Sequence, residues 1–501
     1  MIVCLVLVPA IAGVISLAIR SDALRRGLLI VGAAAHTLLT LAAWIRRPAP
    51  ELGGWIALDG PGLLFLSITS CLFLMAALYS VGYLDREVQG RRQDFEEAVA
   101  FSNAPEARFT GSLLLFHATM TMVAVSQHFG ILWVAVEATT LVSAPLIYFH
   151  RHHRSLEATW KYLLVCSVGI ALALLGNIFL VVAASRTGSG QESMLLAELV
   201  KQGPRLDIPW LKAAFLFFLV GYGTKMGLAP MHTWLPDAHS ESPSVVSALL
   251  SGALLNCAFL AILRAQQVCA AAGQAGFGQE LLVLFGLLSM AFAAVFILRQ
   301  TDYKRLLAYS SVEHVGILAL GVGLGGAASL GAMLHAVNHS LTKAMLFLVA
   351  GNILAAYRTK SIAEVGGILR GLPISGVLWV AGFLAITGSP PFGPFLSELT
   401  ILKGALDQGR GVIAVFYLAL LALIFVGMAT AVLPMAQGRP QKALLGGDEP
   451  GGATPLRLGS ERVLAVVPPA LLGIGVLVLG LYVPPVVLRA VHEASQAVGG
   501  W

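Results

Sequence analysis

Apolar residues form long runs along this chain, and short polar segments separate the runs. An α-helix needs about 20 apolar residues to cross a bilayer, and runs of that length predict about 14 transmembrane helices. Their approximate cores are 2–19, 27–45, 62–84, 109–127, 130–149, 159–184, 211–230, 243–263, 279–298, 306–324, 329–356, 374–402, 412–435 and 463–487. The least hydrophobic stretches, 85–108, 185–210 and 436–462, predict loops, and a short amphipathic helix is expected within 185–210. The pattern therefore predicts an all-α polytopic membrane protein.

The seventh run carries a charge beside a helix break. Lys225 lies inside it, Gly221, Gly223 and Gly227 lie around the lysine, and Pro230 follows. Placing an ammonium at membrane depth costs about 2.5–3.5 kcal/mol on insertion scales, so such a residue usually has a function. A broken helix at that depth survives only against protein or a water-filled cavity. The pattern favours a proton or ion site in a broken helix. The alternative is a lysine whose long side chain reaches the membrane interface.

A second interruption lies in the twelfth run, where Gly388–Pro394 contains three prolines. Prolines remove backbone donors and clash with preceding carbonyls, so the helix cannot continue there. Apolar sequence resumes at once and carries Glu398. Interrupted hydrophobic segments in both halves indicate an inverted-repeat transporter, although a proline kink alone is more often architectural.

Further ionisable groups lie within apolar runs. Glu137, in the fifth run, has no charged neighbour in sequence, and Lys225 is its natural partner. The alternative is a protonated structural glutamate bonded to a carbonyl. His335, His339 and Lys343 recur at every fourth position, which places them on one helix face. Histidine accepts and releases protons near neutral pH, so this row predicts a proton relay.

Two groups of polar residues receive other interpretations. His232, Asp237, His239 and Glu241 lie in HTWLPDAHSES, whose spacing matches no common metal site, and we expect a folded loop that gates proton access. Glu313 and His314 are adjacent, so their side chains are expected to point in different directions around a helix. The isolated His117 receives no role.

Composition agrees with a membrane protein and excludes other classes. The 501 residues are 57% hydrophobic and 12% charged, whereas soluble domains average roughly 25% charged residues. The net charge of +6 forms no basic stripe, so nucleic-acid binding is not expected. The five cysteines are scattered without metal-ligand spacing. No nucleotide, zinc or nucleophile motif is present, so we expect no cofactor, no metal and no bond chemistry by this chain alone.

Loop charge predicts the topology. Loops after the odd-numbered predicted helices hold twice as many lysines and arginines as loops after the even-numbered ones. Positive residues favour the cytoplasmic side, so the odd loops are predicted to be cytoplasmic and both termini outside.

Three segments, GTKMGLAPMHTWLPDAHSESPSVVSALLSG, QTDYKRLLAYSSVEHVG and HAVNHSLTKAMLFLVAGN, resemble the antiporter-like proton-channel family. This family includes membrane subunits of complex I, Mrp-type antiporters and group 4 hydrogenases. The resemblance covers roughly 65–435, and WVAVEATTLVSA and GSPPFGPFLSEL are most similar to the hydrogenase-4 component F type. It implies helices 1–3 in residues 1–105, inverted five-helix repeats in 106–270 and 271–436, each with a broken helix, and a loop with helix 14 in 437–501.

The resemblance also implies roles for individual residues. By position, Glu137 and Lys225 match the first half-channel's charged groups, and His335, His339 and Lys343 match the groups connecting the half-channels. Glu398 matches the terminal carboxylate of the second half-channel. Asn256 departs from the pattern, because complex I counterparts usually carry a central lysine there and an amide cannot carry a proton by changing its charge.

The expected function is a proton-translocating membrane subunit of a redox-driven respiratory complex in a prokaryotic inner membrane. The expected partners are other membrane subunits and a soluble arm with iron–sulfur and nickel–iron hydrogenase-like or complex I-like proteins. Three alternatives remain open: a sodium/proton antiporter subunit, the membrane half of an inorganic-carbon uptake complex that works with a soluble zinc protein, and a passive anchor.

Overall fold

The chain folds almost entirely into helices. The structure is a computed structural model that describes residues 1–87, 91–93, 100–185, 193–439 and 461–499. The first half contains α1 (Ile2–Ala18), α2 (Asp22–Ile45), α3 (Gly60–Leu84), α4 (Glu106–Val125), α5 (Phe129–Ile147), α6 (His153–Ser185), α7 (Leu196–Gln202), α8 (Ile208–Met226), α9 (Leu235–Glu241), α10 (Ser244–Leu249) and α11 (Leu255–Ala271). The second half contains α12 (Ala275–Ile297), α13 (Tyr303–Leu324), α14 (Gly326–Tyr357), α15 (Ile368–Gly371), α16 (Pro373–Ile386), α17 (Gly393–Asp407), α18 (Gly411–Gln437), α19 (Val463–Leu481) and α20 (Pro485–Ala497).

Most of these helices have the length and composition of membrane spans. Within the described ranges, 12 helical spans are long and apolar enough to cross a membrane, and α1 and α16 are shorter apolar helices. Each coincides with a predicted apolar run, so the all-α polytopic class is confirmed. The number of crossings and the inverted repeats stay predictions.

The less hydrophobic segments differ in part from expectation. The short helix expected within 185–210 is present as α7. The loop 85–108 contains a small antiparallel sheet, formed by β1 (Arg91–Gln93) and β2 (Ala100–Ser102). Most of the loop 436–462 lies outside the described residues. The last predicted crossing ends at Leu481, and the tail forms the amphipathic helix α20, which packs on α3.

The helices that carry the ionisable groups lie at the centre of the bundle. All of the membrane-spanning part of Ser244–Ala271 is buried, against 28% for α18 at the periphery. Helix α14 packs against α13, α16, α17 and α19, and α8 packs against α6 and α11. Charged side chains on these helices are therefore separated from lipid by other helices.

The loops gather on two opposite ends of the bundle. At one end, Asp237 forms ion pairs with Lys161 and Arg305, and Glu241 forms one with Lys360. These pairs connect the polar segments near the ends of the fifth, seventh, ninth and eleventh predicted helices. Backbone bridges join other loops at the opposite end, between residues 56 and 126 and between residues 128 and 195. The N-terminal ammonium also bonds to a carboxylate in the loop after α2. These contacts join odd predicted loops to odd ones and even to even ones, and which end faces the cytoplasm stays a prediction.

Candidate functional site: a line of buried ionisable groups

At the first helix break, neighbouring side chains form hydrogen bonds with the backbone groups. Helix α8 ends where Gly227 adopts a φ of +89°, a left-handed conformation that favours glycine. The indole of Trp234 donates to the freed carbonyl of Thr224 at 2.8 Å. The backbone N–H of Ala229 donates to the hydroxyl of Ser289 at 2.9 Å. The break is therefore stable inside protein, as a non-helical backbone at membrane depth must be.

Lys225, the penultimate residue of α8, is fully buried. Its ammonium donates to the hydroxyls of Thr140, 2.7 Å away, and Tyr162, 2.6 Å away. It also lies 6.0 Å from the centroid of the Trp234 ring. The hydroxyl of Tyr162 shares a further hydrogen bond of 2.7 Å with Ser143. The lysine does not reach the membrane interface, so the alternative of a snorkelling side chain is wrong.

Glu137 lies on α5 near this cluster, but it does not form the expected direct ion pair. Its Oε1 accepts a hydrogen bond of 3.0 Å from Ser167, and its Oε2 has no partner among the described residues. The ammonium of Lys225 is directed to hydroxyl groups instead, although Glu137 remains within electrostatic range. The alternative of a glutamate bonded to a carbonyl is not observed either.

The middle of the bundle holds an amide rather than a charge. Asn256, at the start of α11, donates through Nδ2 to the carbonyl of Gly252 at 2.9 Å and to the hydroxyl of Ser340 at 2.8 Å. Its Oδ1 is buried without a described partner. The preceding turn, Leu250–Leu254, is a π-helix, a feature frequent at functional sites. The contact between α11 of the first half and α14 of the second half is therefore a hydrogen bond between neutral groups, Asn256 and Ser340.

The two histidines of α14 form a row with His314 of α13, in which His335 is hydrogen bonded and His339 is stacked. His314 Nδ1 lies 2.8 Å from His335 Nε2, and His335 Nδ1 lies 2.9 Å from the hydroxyl of Ser397 on α17. The ring of His339 stacks on that of His314, with centroids 5.1 Å apart. An imidazole can accept a proton at one nitrogen and release one from the other. The row spans three helices and can move protons between them.

Lys343 and Glu313 flank this row. The Lys343 ammonium donates to the carbonyl of Leu307 at 2.7 Å and interacts electrostatically with Glu313. The Glu313 carboxylate lies 3.8 Å from His314 Nε2. The expectation that Glu313 and His314 point apart was wrong, because their side-chain tips converge although their Cβ atoms diverge.

Glu398 is the last of the buried ionisable groups and lies at the second helix break. Helix α16 ends at Ile386, and α17 begins at Gly393. The Glu398 carboxylate lies against Gly388, within the break. The two are so close that a Cβ added to Gly388 would lie 2.0 Å from Glu398 Oε2. His314, His335 and Glu398 offer two imidazole nitrogens and a carboxylate oxygen within 4.8 Å of one another. Since two of these nitrogens already share a hydrogen bond, the arrangement fits proton exchange.

The HTWLPDAHSES segment is helical, which corrects the expected folded loop. Met231–Trp234 form a 3₁₀ turn that leads directly into α9. A proline in the first turn of α9 favours helix initiation. At its other end, the buried ammonium of Lys304 donates to the carbonyls of Ser240 and Ser242, at 2.8 and 2.6 Å. A cation in this position stabilises a helix C-terminus.

The two gating residues expected in this segment lie apart. His232 contacts the rings of Phe292, Phe296 and Tyr309. Asp237 lies at the end of the bundle and accepts a hydrogen bond of 2.9 Å from Lys161. Neither residue touches Lys225 or the histidine row in the described structure.

The sequence reasoning missed three participants: Tyr162, His314 and Ser397. Helical spacing does not indicate Ser397, since adjacent residues such as Ser397 and Glu398 point in different directions around a helix. Nothing in sequence marks Tyr162, an aromatic residue in an apolar run. It becomes visible only because α6 packs against α8.

Known proteins share this architecture. The family described as "NADH:quinone oxidoreductase/Mrp antiporter, TM" matches residues 126–424. A hydrogenase-4 component F homolog of Methylacidiphilum infernorum is 36% identical over 448 residues, with 88% of each chain covered. NADH-quinone oxidoreductase subunit N of Desulforudis audaxviator is 30% identical over 378 residues, with 72% of each covered.

A solved structure has the same fold. A chain of the archaeal membrane-bound sulfane sulfur reductase superposes with a TM-score of 0.85 at 20% identity, covering 100% of this chain and 98% of that one. The matched region contains both helix breaks and the whole line of ionisable groups. This chain belongs to the NADH:quinone oxidoreductase/Mrp antiporter transmembrane family.

Proposed function

We propose that this chain is the proton-translocating membrane subunit of a redox-driven respiratory complex of the hydrogenase-4 or complex I type. The observation that carries the proposal is the line of buried ionisable groups between the two helix breaks. Charged or titratable side chains are costly in a membrane interior and mark ion pathways. The similarity to a hydrogenase-4 component F homolog over 88% of the chain supports this type of complex.

The proposed path begins at Glu137 and Lys225 and ends at Glu398. A change in charge near Glu137 alters the proton affinity of Lys225, because the two lie within electrostatic range. The proton then passes along Lys343, His339 and His335 toward the carboxylate of Glu398, an oxygen of which lies within 4.8 Å of a His335 ring nitrogen. His232, Asp237 and Asn256 are secondary polar or gating groups in this proposal.

In this proposal the chain supplies the proton pathway, and its partners supply the redox centres. We therefore propose that other membrane subunits and a soluble arm with iron–sulfur and nickel–iron hydrogenase-like or complex I-like proteins complete the complex. The positive-inside count supports an orientation with both termini outside, and we propose the inner membrane of a prokaryote as the location. We further propose inverted repeats over 106–270 and 271–436, each with one of the two breaks, which would give a path through both halves.

The test begins with purification of the tagged chain and its partners in mild detergent. The complex is then reconstituted in vesicles, and proton uptake is followed with a pH-sensitive dye while the soluble arm turns over. Lys225→Ala and Glu137→Gln are expected to abolish or strongly lower the protons moved per electron. Lys403→Ala is the control, since that side chain is 68% exposed. Unchanged coupling in both Lys225→Ala and Glu137→Gln would refute the mechanism.

The same experiment separates the alternatives. Uptake that requires sodium would identify an antiporter subunit. Copurification of a soluble zinc protein without a redox arm would identify an inorganic-carbon uptake complex. A passive anchor predicts that neutralising Lys225 reduces assembly while the assembled complex keeps its coupling.

A further inference from the structure

His239 is a buried titratable group that the path above does not use. It lies on α9, within the helical segment that follows the first break, and is 0% exposed. Neither ring nitrogen has a side-chain hydrogen-bond partner in the described structure. The nearest backbone acceptor, the carbonyl of Leu235 one turn earlier, is not reached with full hydrogen-bond geometry. An unpaired buried polar group is costly, which calls for an explanation.

The position of His239 connects the two halves of the line. On one side, its ring centroid lies 6.0 Å from that of Trp234, which lies 5.0 Å from the ring of Tyr162. Tyr162 is hydrogen bonded to the Lys225 ammonium. On the other side, the ring of His239 lies 5.7 Å from that of Phe347 on α14. His239 therefore lies between the Lys225 cluster and the helix of the histidine row.

Two charged or titratable groups of the second half act on His239 directly. Lys343 and His339 both interact with it electrostatically. Lys304, which caps α9, is the other cation within range. A charged Lys343 would repel a protonated ring at His239, so the ring can hold a proton only while Lys343 is neutral and able to receive it.

The direct route between the halves lacks a proton carrier. Asn256 bridges them through its hydrogen bond to Ser340, and an amide neither gains nor loses a proton at physiological pH. An imidazole does both near neutrality. The α9 route therefore places an imidazole between the Lys225 cluster and the helix of the histidine row.

We propose that His239 carries the proton from the Lys225 site to the histidine row, in place of a titratable group at Asn256. The neutral ring accepts a proton at one nitrogen and releases one from the other, so the net charge is restored after each passage. This inference rests on the proposed function, because it requires that protons cross this chain.

The test compares His239→Gln with His117→Gln in the reconstituted complex. His117 is a matched control, because its ring is also fully buried with both nitrogens unpartnered in the described residues, and it lies on α4. His239→Gln is expected to lower the rate of proton translocation by about tenfold or more, since a positioned proton-transfer group contributes roughly 10²–10⁴-fold to a rate. His117→Gln is expected to leave it unchanged. Native gels check that both complexes assemble.

A second variant separates a relay from a structural role. The double variant His239→Gln/Asn256→Lys carries a titratable group on the direct route between the halves. Its proton translocation is expected to return toward that of the wild type. A purely structural histidine would not be replaced by a lysine on a different helix. Normal coupling in His239→Gln, or a loss that the added lysine does not restore, would overturn the inference and leave the proposed function standing. A wild-type complex that moves no protons would overturn both.

Discussion

Glu241 and Lys360 form a buried ion pair whose loss should destabilise the position of α9. The pair joins the end of α9 to the loop after α14, with Nζ and Oε1 2.7 Å apart and side chains 10% and 6% exposed. Breaking a buried pair from one side costs about 3–5 kcal/mol, because the remaining charge stays buried. Asp302 lies 3.9 Å from the same ammonium and would compensate in part. We expect Glu241→Gln to lower the free energy of unfolding by about 3 kcal/mol, the lower end of this range.

A double-mutant cycle measures the pair itself. Unfolding of the detergent-solubilised chain by SDS is followed for Glu241→Gln, Lys360→Met and the double variant. The double variant removes both charges, so it should cost less than the sum of the two single changes. Coupling between contacting residues is about 0.5–3 kcal/mol, and burial places this pair toward the upper end.

The exposed pair Lys403–Asp407 is the control for this cycle. Its side chains are 68% and 54% exposed, and they lie four residues apart on α17. Such helix pairs contribute about 0.3–0.5 kcal/mol. Additive effects at Glu241 and Lys360, or a coupling no larger than that of the exposed pair, would show that the ion pair does not hold α9 in place.

Two further variants test the packing and the relay. Gly221→Ala should lower the thermal stability of the complex more than the control Gly276→Ala, because an added Cβ would lie 2.6 Å from the Gly169 carbonyl, whereas nothing lies within 4 Å of a Cβ at Gly276. Equal melting temperatures for the two variants would contradict the close approach of α6 and α8. Ser397→Ala removes the hydroxyl bonded to His335 and should reduce proton uptake per turnover without loss of assembly. Uptake equal to that of wild type would exclude Ser397 from the path.

The overall helical architecture could be predicted from the sequence because a bilayer imposes a length on each apolar run. The helix breaks could also be predicted, since Gly227 and the three prolines of Gly388–Pro394 are locally incompatible with a continuing helix. The secondary structure of HTWLPDAHSES could not be predicted in this way. Its polar residues suggested a loop, whereas the buried Lys304 ammonium, 62 residues from Ser242, provides the cap that lets α9 form.

The residue types of the site were also visible in the sequence, but their pairing was not. Lys225 and Glu137 were expected to bond to each other because they are opposite charges in apolar runs. The structure gives each a hydroxyl partner instead, Tyr162 and Ser167, since helix packing determines which side chains come within reach. Likewise, His314 joins the histidine row because α13 packs against α14. Such contacts depend on three-dimensional packing that spacing along one helix does not contain.

The buried lysines of this chain differ in whether they bond to a carboxylate or to neutral oxygens. Lys225 and Lys343, at membrane depth, donate to hydroxyl and carbonyl oxygens, which are neutral. Glu241 and Lys360, at the end of the bundle, bond to each other. A buried ion pair resists neutralisation of either member, because the other would be left as an uncompensated charge. A lysine held by neutral oxygens can lose its proton without leaving such a charge behind. The residues best placed to pass protons are therefore the ones without a bonded counter-ion, and the ion pairs fix the helices around them.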